Sequence, residues 1–300
     1  MRTERASRRP LRVTAFGAAK INIGLRVGPR RDDGYHDVCG LVQTVSLVDR
    51  LDVSTGDDAG PGIVVDVGAP LRLHVPGAPE LETPENLVVA AARALAEGGK
   101  ARPTSIRIDK AIPVAAGLGG GSADAAAAVT ALNVVWGAGA APGDLVEIAG
   151  RIGSDVPAIV AGGLVHIAGR GERVRHSGTA SEGCFVLGIS SDRIRAADAY
   201  RAFDRLPASS SALLHHNDLE AAACTIVPAL RDRLAAMAKA GADPVFVSGS
   251  GPTVVGVAAD REEAERIAER AAPAFDRVEV VRPSPWGVRL SIGAESPAIG

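Results

Sequence analysis

Pro113-Val114-Ala115-Ala116-Gly117-Leu118-Gly119-Gly120-Gly121-Ser122-Ala123-Asp124-Ala125 joins an alternating strand pattern to an alanine-rich run, and this junction sorts the chain among the architectures that bind phosphate. Glycines let the backbone take φ > 0 and approach a ligand, so that successive N–H groups converge on an anion. The run from Ala125 to Ala128, continued by Val129, Leu132 and Trp136 at helical spacing, predicts a helix whose unpaired amides and positive dipole end add to that site. Ser122 is the expected N-cap, and Ala115 and Ala116 are compatible with the loop if they keep φ < 0. A P-loop is excluded because no lysine lies between Ala111 and Arg151. A dinucleotide fingerprint is disfavoured because Ser122 falls where its third glycine is needed. The preceding strand, Ser105 to Lys110, alternates apolar and polar residues, whereas a central Rossmann strand is apolar throughout. A glycine-rich turn without a ligand is the remaining alternative at this level.

Outward from the loop, short alternating strands are predicted at Leu11 to Ala15, Ile21 to Val27, Val38 to Ser46, Arg50 to Ser54, Gly62 to Val67 and Leu71 to Val75. Helices are predicted at Asn86 to Glu97, Ala123 to Trp136, Pro142 to Arg151 and Val156 to Ala161. After the Gly162-Gly163 break come strands at Leu164 to Ala168 and Phe185 to Ser190 and helices at Ala196 to Leu206 and Leu219 to Ala240. A strand pair at Pro244 to Ala258, a helix from Arg261 to Ala272 and two last strands, Arg277 to Arg282 and Gly287 to Ile292, complete the order. This is an α+β arrangement of two lobes, expected at 11–162 and 163–292, with 1–10 and 293–300 expected as disordered tails.

The composition bounds the function. With 33 lysines and arginines against 35 aspartates and glutamates, the chain has no global field for nucleic acid or for an anionic membrane, so any anion must be bound locally. No apolar run is long enough for a membrane span. Cys39, Cys184 and Cys224 are odd in number and widely spaced, as in a reduced cytoplasmic protein. Met1 to Pro10 carries four arginines and no signal-peptide core.

Five segments together carry a family resemblance. The glycine loop resembles the signature of the GHMP kinases (galactose, homoserine, mevalonate and phosphomevalonate kinases), which cradle ATP phosphates without a P-loop lysine. Ala18-Ala19-Lys20-Ile21-Asn22-Ile23-Gly24-Leu25, followed by Asp33-Gly34-Tyr35-His36, resembles the branch whose acceptor is a sugar alcohol linked to cytidine diphosphate, in the non-mevalonate route to isoprenoid precursors. Val247-Ser248-Gly249-Ser250-Gly251-Pro252-Thr253 resembles the third GHMP motif. Gly153-Ser154-Asp155-Val156-Pro157 resembles the branch's catalytic aspartate segment, and Asn217-Asp218-Leu219-Glu220 is a further similarity. The resemblance implies an N-terminal ATP-binding lobe like the second domain of ribosomal protein S5 and a C-terminal ferredoxin-like plait.

It also implies roles. ATP, with Mg²⁺, would lie on Pro113, Val114, Ala115, Ala116, Gly117, Leu118, Gly119, Gly120, Gly121, Ser122 and Ala123. Ser122 would offer its hydroxyl to the metal, with Asp124 assisting. Asp155 would take or orient the acceptor hydroxyl, with Lys20 beside it stabilising charge on the phosphoryl oxygens. Asn22 would bind the sugar-alcohol end or the diphosphate, Tyr35 and Tyr200 would stack on cytosine, His36 would bond its edge, and Gly249, Ser250 and Gly251 would form a second anion-binding turn. By residue type alone, Lys20 also reads as an exposed charge, Asp155 as a helix cap and Ser248 to Pro252 as a plain hairpin. Departures from the family are Ala115-Ala116, where glycines are common, and Ala196-Ala197, where hydroxyl residues are common. Another GHMP small-molecule kinase, or a nucleotide-binding module without catalysis, stays open, as does a monomer or a homodimer.

Overall fold

A computed structural model describes residues 11–56, 60–178, 182–206 and 214–292; both expected tails lie outside the described residues. Two long antiparallel strands, β1 (Arg12–Arg30) and β2 (His36–Thr55), form its spine. Each absorbs two of the predicted short strands. Ala18, Ala19 and Lys20, which interrupt the alternation in sequence, are buried within the sheet, and the β1–β2 register shifts around Lys20 and around Asn22 accommodate them. The first sheet adds β3 (Ile63–Asp66), β4 (Pro70–His74) and β5 (Thr104–Asp109) on one side of β2. Beyond the glycine pair, β6 (Leu164–Gly169) pairs with the first half of β2, and β7 (Arg173–His176) pairs with β6.

Four helices accompany this sheet: α1 (Leu87–Ala96), α2 (Gly120–Val135), α3 (Pro142–Ile152) and α4 (Val156–Ala161). Helix α2 is buried along most of its length because Ala123, Ala125, Ala126, Ala127, Ala128 and Ala131 present no bulk. Its approach to β1 is closer than any side chain would allow, since a Cβ on Gly17 would lie 2.3 Å from the carbonyl oxygen of Ala123.

The second sheet contains β8 (Cys184–Ile189), β9 (Val245–Val247), β10 (Val254–Ala258) and β11 (Arg277–Val281), in the order β11-β8-β10-β9. Its helices are α5 (Ala196–Phe203), α6 (Glu220–Ile226), α7 (Leu230–Lys239) and α8 (Arg261–Ala271). In chain order this gives the βαββαβ succession of a ferredoxin-like plait, with the fourth strand beside the first and the third between the first and second. The single predicted helix from Leu219 to Ala240 is two, because Pro228 has no N–H to continue the ladder. The last strand, β12 (Val288–Ile292), returns to pair with β1 in the first sheet. The two sheets therefore do not divide at the Gly162-Gly163 break: β6, β7 and β12 all lie beyond it yet belong to the first. Among the described residues no helix is long and apolar enough to cross a membrane, and all three cysteines are unpaired.

Candidate active site

The glycine-rich loop runs from the end of β5 into α2. Gly119 has φ +70° and is itself the N-cap, with no side chain bonded to the first-turn amides. The helix thus begins at Gly120, and Ser122 is its third residue, not the predicted cap. A left-handed glycine supplies the turn without a capping oxygen, so the leading N–H groups are left for an outside acceptor. Ala115 also departs from expectation: its φ is +56°, a conformation that disfavours a Cβ by about 1–2 kcal/mol.

Lys20 projects from β1 beneath this loop. Its side chain is 5% exposed, and Nζ lies 2.6 Å from Asn22 Oδ1, 3.1 Å from the Gly117 carbonyl and 3.4 Å from Asp155 Oδ2. An ammonium has three protons; Asn22 and the Gly117 carbonyl accept two of them, and Asp155 stands at ion-pair distance. Lys20 is therefore not a solvated surface charge. A Cβ at Gly119 would lie 2.9 Å from its Cγ, so the loop and the lysine stem are fitted to each other. Asp155 precedes α4 but its carboxylate caps nothing; its side chain, 36% exposed, faces Lys20 and remains accessible to a substrate.

The turn between β9 and β10 closes the site from the other sheet. Ser248 Oγ donates to the Gly117 carbonyl at 3.0 Å and accepts from the Asn22 amide at 3.3 Å, while the Thr253 amide reaches the Ala116 carbonyl at 3.3 Å. A Cβ at Gly249 would lie 2.8 Å from Asn22 Oδ1 and 3.3 Å from Lys20 Nζ. Asn217, buried before α6, donates to the carbonyls of Val247 and Gly249 at 2.8 and 2.7 Å and so fixes the turn. Gly249, Ser250 and Gly251 thus stand beside the loop, as a second anion-binding turn would, and the hairpin is not an isolated one.

The expected base-binding residues gather less uniformly. Tyr200, on α5, stacks on His36 with ring centroids 5.1 Å apart and planes inclined by 19°. Burial, and then the charge of Asp155, push its phenol up to about 12, which ties this pocket to the carboxylate of the site. His36 is buried, and its Nε2 is 2.8 Å from Asp204 Oδ1. Tyr35 is 54% exposed, and its ring carries the guanidinium of Arg170 5.2 Å from the centroid. Tyr35 and Tyr200 make no ring contact with each other.

On the far side of the loop, Lys110 bridges Asp49 at 2.5 Å and Asp124 at 2.6 Å. Asp49 Oδ1 also accepts from the amides of Ala111 and Ile112, at 2.6 and 2.9 Å. Asp124 is consequently sealed in an ion cluster and is not an open metal ligand. Among the described residues no group of three His, Cys, Asp or Glu is arranged to hold a metal. Ser122, half-buried on the first turn of α2, makes no hydrogen bond to a described residue, which leaves its hydroxyl to meet a metal. A Mg²⁺ ion takes few protein ligands and many phosphate or water oxygens, so a lone Ser122 fits a metal carried in by ATP. Sequence reasoning missed Ser248, Asp204, Arg170, Asp49 and Lys110; of these only Ser248 lay inside a quoted motif.

Comparison with known proteins shows the family. Residues 86–163 match the GHMP kinases N terminal domain and residues 199–276 the GHMP kinases C terminal model. A 4-diphosphocytidyl-2-C-methyl-D-erythritol kinase from Anaeromyxobacter sp. (strain K) is 42% identical over 268 residues, covering 82% of this chain and 81% of the relative. One of the same name from Pelotomaculum thermopropionicum is 38% identical over 289 residues, covering 90% and 97%. A crystal structure of 4-(cytidine 5'-diphospho)-2C-methyl-D-erythritol kinase superposes with a TM-score of 0.72 at 30% identity, covering 89% of this chain and 98% of that one. A homoserine kinase from Cytophaga hutchinsonii shares the fold, with a TM-score of 0.71 at 19% identity, over 95% and 98% of the two chains.

Proposed function

Since the chain belongs to the GHMP kinases and, within them, to the 4-diphosphocytidyl-2-C-methyl-D-erythritol kinases, we propose that it transfers the γ-phosphoryl group of ATP to the 2-hydroxyl of 4-diphosphocytidyl-2-C-methyl-D-erythritol. The products are the 2-phosphate and ADP, and the step belongs to isoprenoid precursor synthesis. The observation that carries this reading is the meeting of Lys20 Nζ, Asp155 and the Gly117 carbonyl at one point under the glycine loop. Phosphoryl transfer asks a protein mainly to position its reactants and to balance charge.

The free amides at the start of α2 receive the ATP phosphates. Asp155 accepts the hydrogen bond of the acceptor hydroxyl and takes its proton as the new O–P bond forms and the bond to ADP breaks. Lys20, held in place by its hydrogen bonds to Asn22 and Gly117, acts on the transferring group through its positive charge. Ser122 would hold a Mg²⁺ ion brought in with ATP, and that ion would supply further neutralisation of the phosphate charge. Tyr35, His36 and Tyr200 hold the cytidine end, and Gly249, Ser250 and Gly251 face the diphosphate. The unpaired cysteines suit a cytoplasmic enzyme.

The test is ADP release from ATP and Mg²⁺ with the cytidine compound, mevalonate or homoserine as acceptor, and with Asp155→Ala as the blank. Turnover of the cytidine compound alone is expected. Preference for mevalonate or homoserine would overturn the acceptor assignment, and no turnover with any acceptor would overturn the kinase reading.

A further inference from the structure

His36 opens β2 with a side chain only 4% exposed, so both ring nitrogens of a buried polar heterocycle have to be accounted for. One helical turn of α5 supplies most of the account. Tyr200 covers a face of the ring, Phe203 meets it edge-on at 6.1 Å and 84°, and Asp204 lies 2.8 Å from Nε2. Nδ1 has no partner among the described residues.

Asp204 is poorly suited to the helix that carries it. It is the C-cap of α5, where a carboxylate meets the negative end of the helix dipole and a lysine, arginine or histidine would be favoured. Its hydrogen-bonding partner is His36. A carboxylate can only accept, so Nε2 carries the hydrogen, and in the neutral ring Nδ1 then presents a bare lone pair.

We propose that Asp204 is a positioning residue for base selection: by fixing His36 as the Nε2–H tautomer, it keeps Nδ1 a hydrogen-bond acceptor that favours cytosine over uracil. The edge of cytosine carries a donor in its 4-amino group, whereas uracil places a carbonyl oxygen at the same position. An acceptor nitrogen bonds the first and faces the second lone pair to lone pair. The inference rests on the cytidine-linked acceptor proposed above. It also gives His36 a role that its burial would otherwise make costly, since a histidine held by one nitrogen and stacked on one face reads a base without losing rotamer freedom on binding.

Two measurements test it. In protein labelled with ¹⁵N-histidine, the wild type is expected to show His36 as the Nε2–H tautomer, and Asp204→Ala a mixture of tautomers. In steady-state kinetics with 4-diphosphocytidyl- and 4-diphosphouridyl-2-C-methyl-D-erythritol, Asp204→Ala is expected to lower the cytidine-to-uridine ratio of kcat/KM by at least about 10-fold, the usual consequence of mispairing one buried polar group. The KM for ATP is expected to stay unchanged, because the side-chain bond of Asp204 goes to His36 and not to the glycine loop. Asp204→Asn, whose amide oxygen can still accept from Nε2–H, keeps a measurable part of the preference. An Nδ1–H tautomer in the wild type, or an unchanged ratio in the alanine variant, would overturn the proposal. If Asp204→Ala does not fold, the wild-type tautomer and the asparagine variant decide. Failure of the wild type to turn over either nucleotide would instead remove the acceptor assignment itself, and base selection with it.

Discussion

On one side of the glycine-rich loop Lys20 reaches Asp155 at 3.4 Å, and on the other Lys110 reaches Asp49 at 2.5 Å and Asp124 at 2.6 Å. The residue types are the same, but their access to solvent is not. Asp155 is 36% exposed, whereas Asp49 and Asp124 are 0% and 5% exposed at the side chain. An exposed carboxylate beside a fixed ammonium can receive a hydroxyl from outside. A sealed one can only hold together the elements that meet at it, here β2, the end of β5 and the N-terminal half of α2. The charge balance also differs, because the sealed cluster has two carboxylates for one ammonium. Asp49 is compensated by Lys110 and by the Ala111 and Ile112 amides, while Asp124 leaves Oδ1 buried without a partner. The loop is anchored from one flank and open to a ligand on the other.

The largest effect that would break this comparison lies on the sealed side. Asp49→Ala leaves two backbone amides without their acceptor and Lys110 half-paired in a buried place. Losing one partner of a buried ion pair costs about 3–5 kcal/mol, to be read from the midpoint of urea unfolding. A loss below about 1 kcal/mol, the level of a surface pair, would mean that the cluster does not anchor the loop.

The open side should respond in the other currency, rate. Asp155→Ala is expected to lower turnover by at least about 10²-fold, equivalent to roughly 2.7 kcal/mol of barrier, with the KM for ATP nearly unchanged. Its unfolding free energy should stay within about 0.5 kcal/mol of the wild type, because Lys20 keeps Asn22 and Gly117 as partners. Unchanged turnover would remove Asp155 from the reaction, and a large loss of stability would erase the distinction between the flanks.

Much of the open flank was legible in the chain. The glycine run, Lys20, Asn22 and Asp155 each sit in a short local pattern, and the structure draws Lys20, Asn22, Asp155 and the Ser248–Gly251 turn into one place. Where reading failed, the cause was nonlocal or conformational. Ser122 looked like a cap because serine commonly is one, but a left-handed Gly119 starts the helix earlier. Ala115 gave no sign of its positive φ. The Gly162-Gly163 break looked like a boundary, yet β12 returns from the far end of the chain to complete the first sheet. The sealed cluster joins residues 61 and 14 positions apart, and Asp204 lies 168 positions from His36. No periodicity or motif links such residues, since only the folded sheets bring them together.

Asp124 offers the smallest and sharpest test of the comparison. Burial, and next the nearby charge of Asp49, raise its carboxyl from 3.8 to about 7 against the opposing pull of Lys110. A carboxyl raised in the folded state binds a proton there that the unfolded chain has already released, so its contribution to stability is fully present below about pH 4 and is lost as pH rises through about 7. Asp124→Asn keeps the shape but cannot titrate. It should be nearly neutral to stability at pH 4 to 5, where the wild-type carboxyl is protonated in the fold, and should flatten the decline in unfolding free energy between there and pH 8. If Asp124→Asn followed the wild-type curve, the carboxyl would be fully ionised beside Lys110, and the sealed cluster would hold two charged carboxylates against one ammonium.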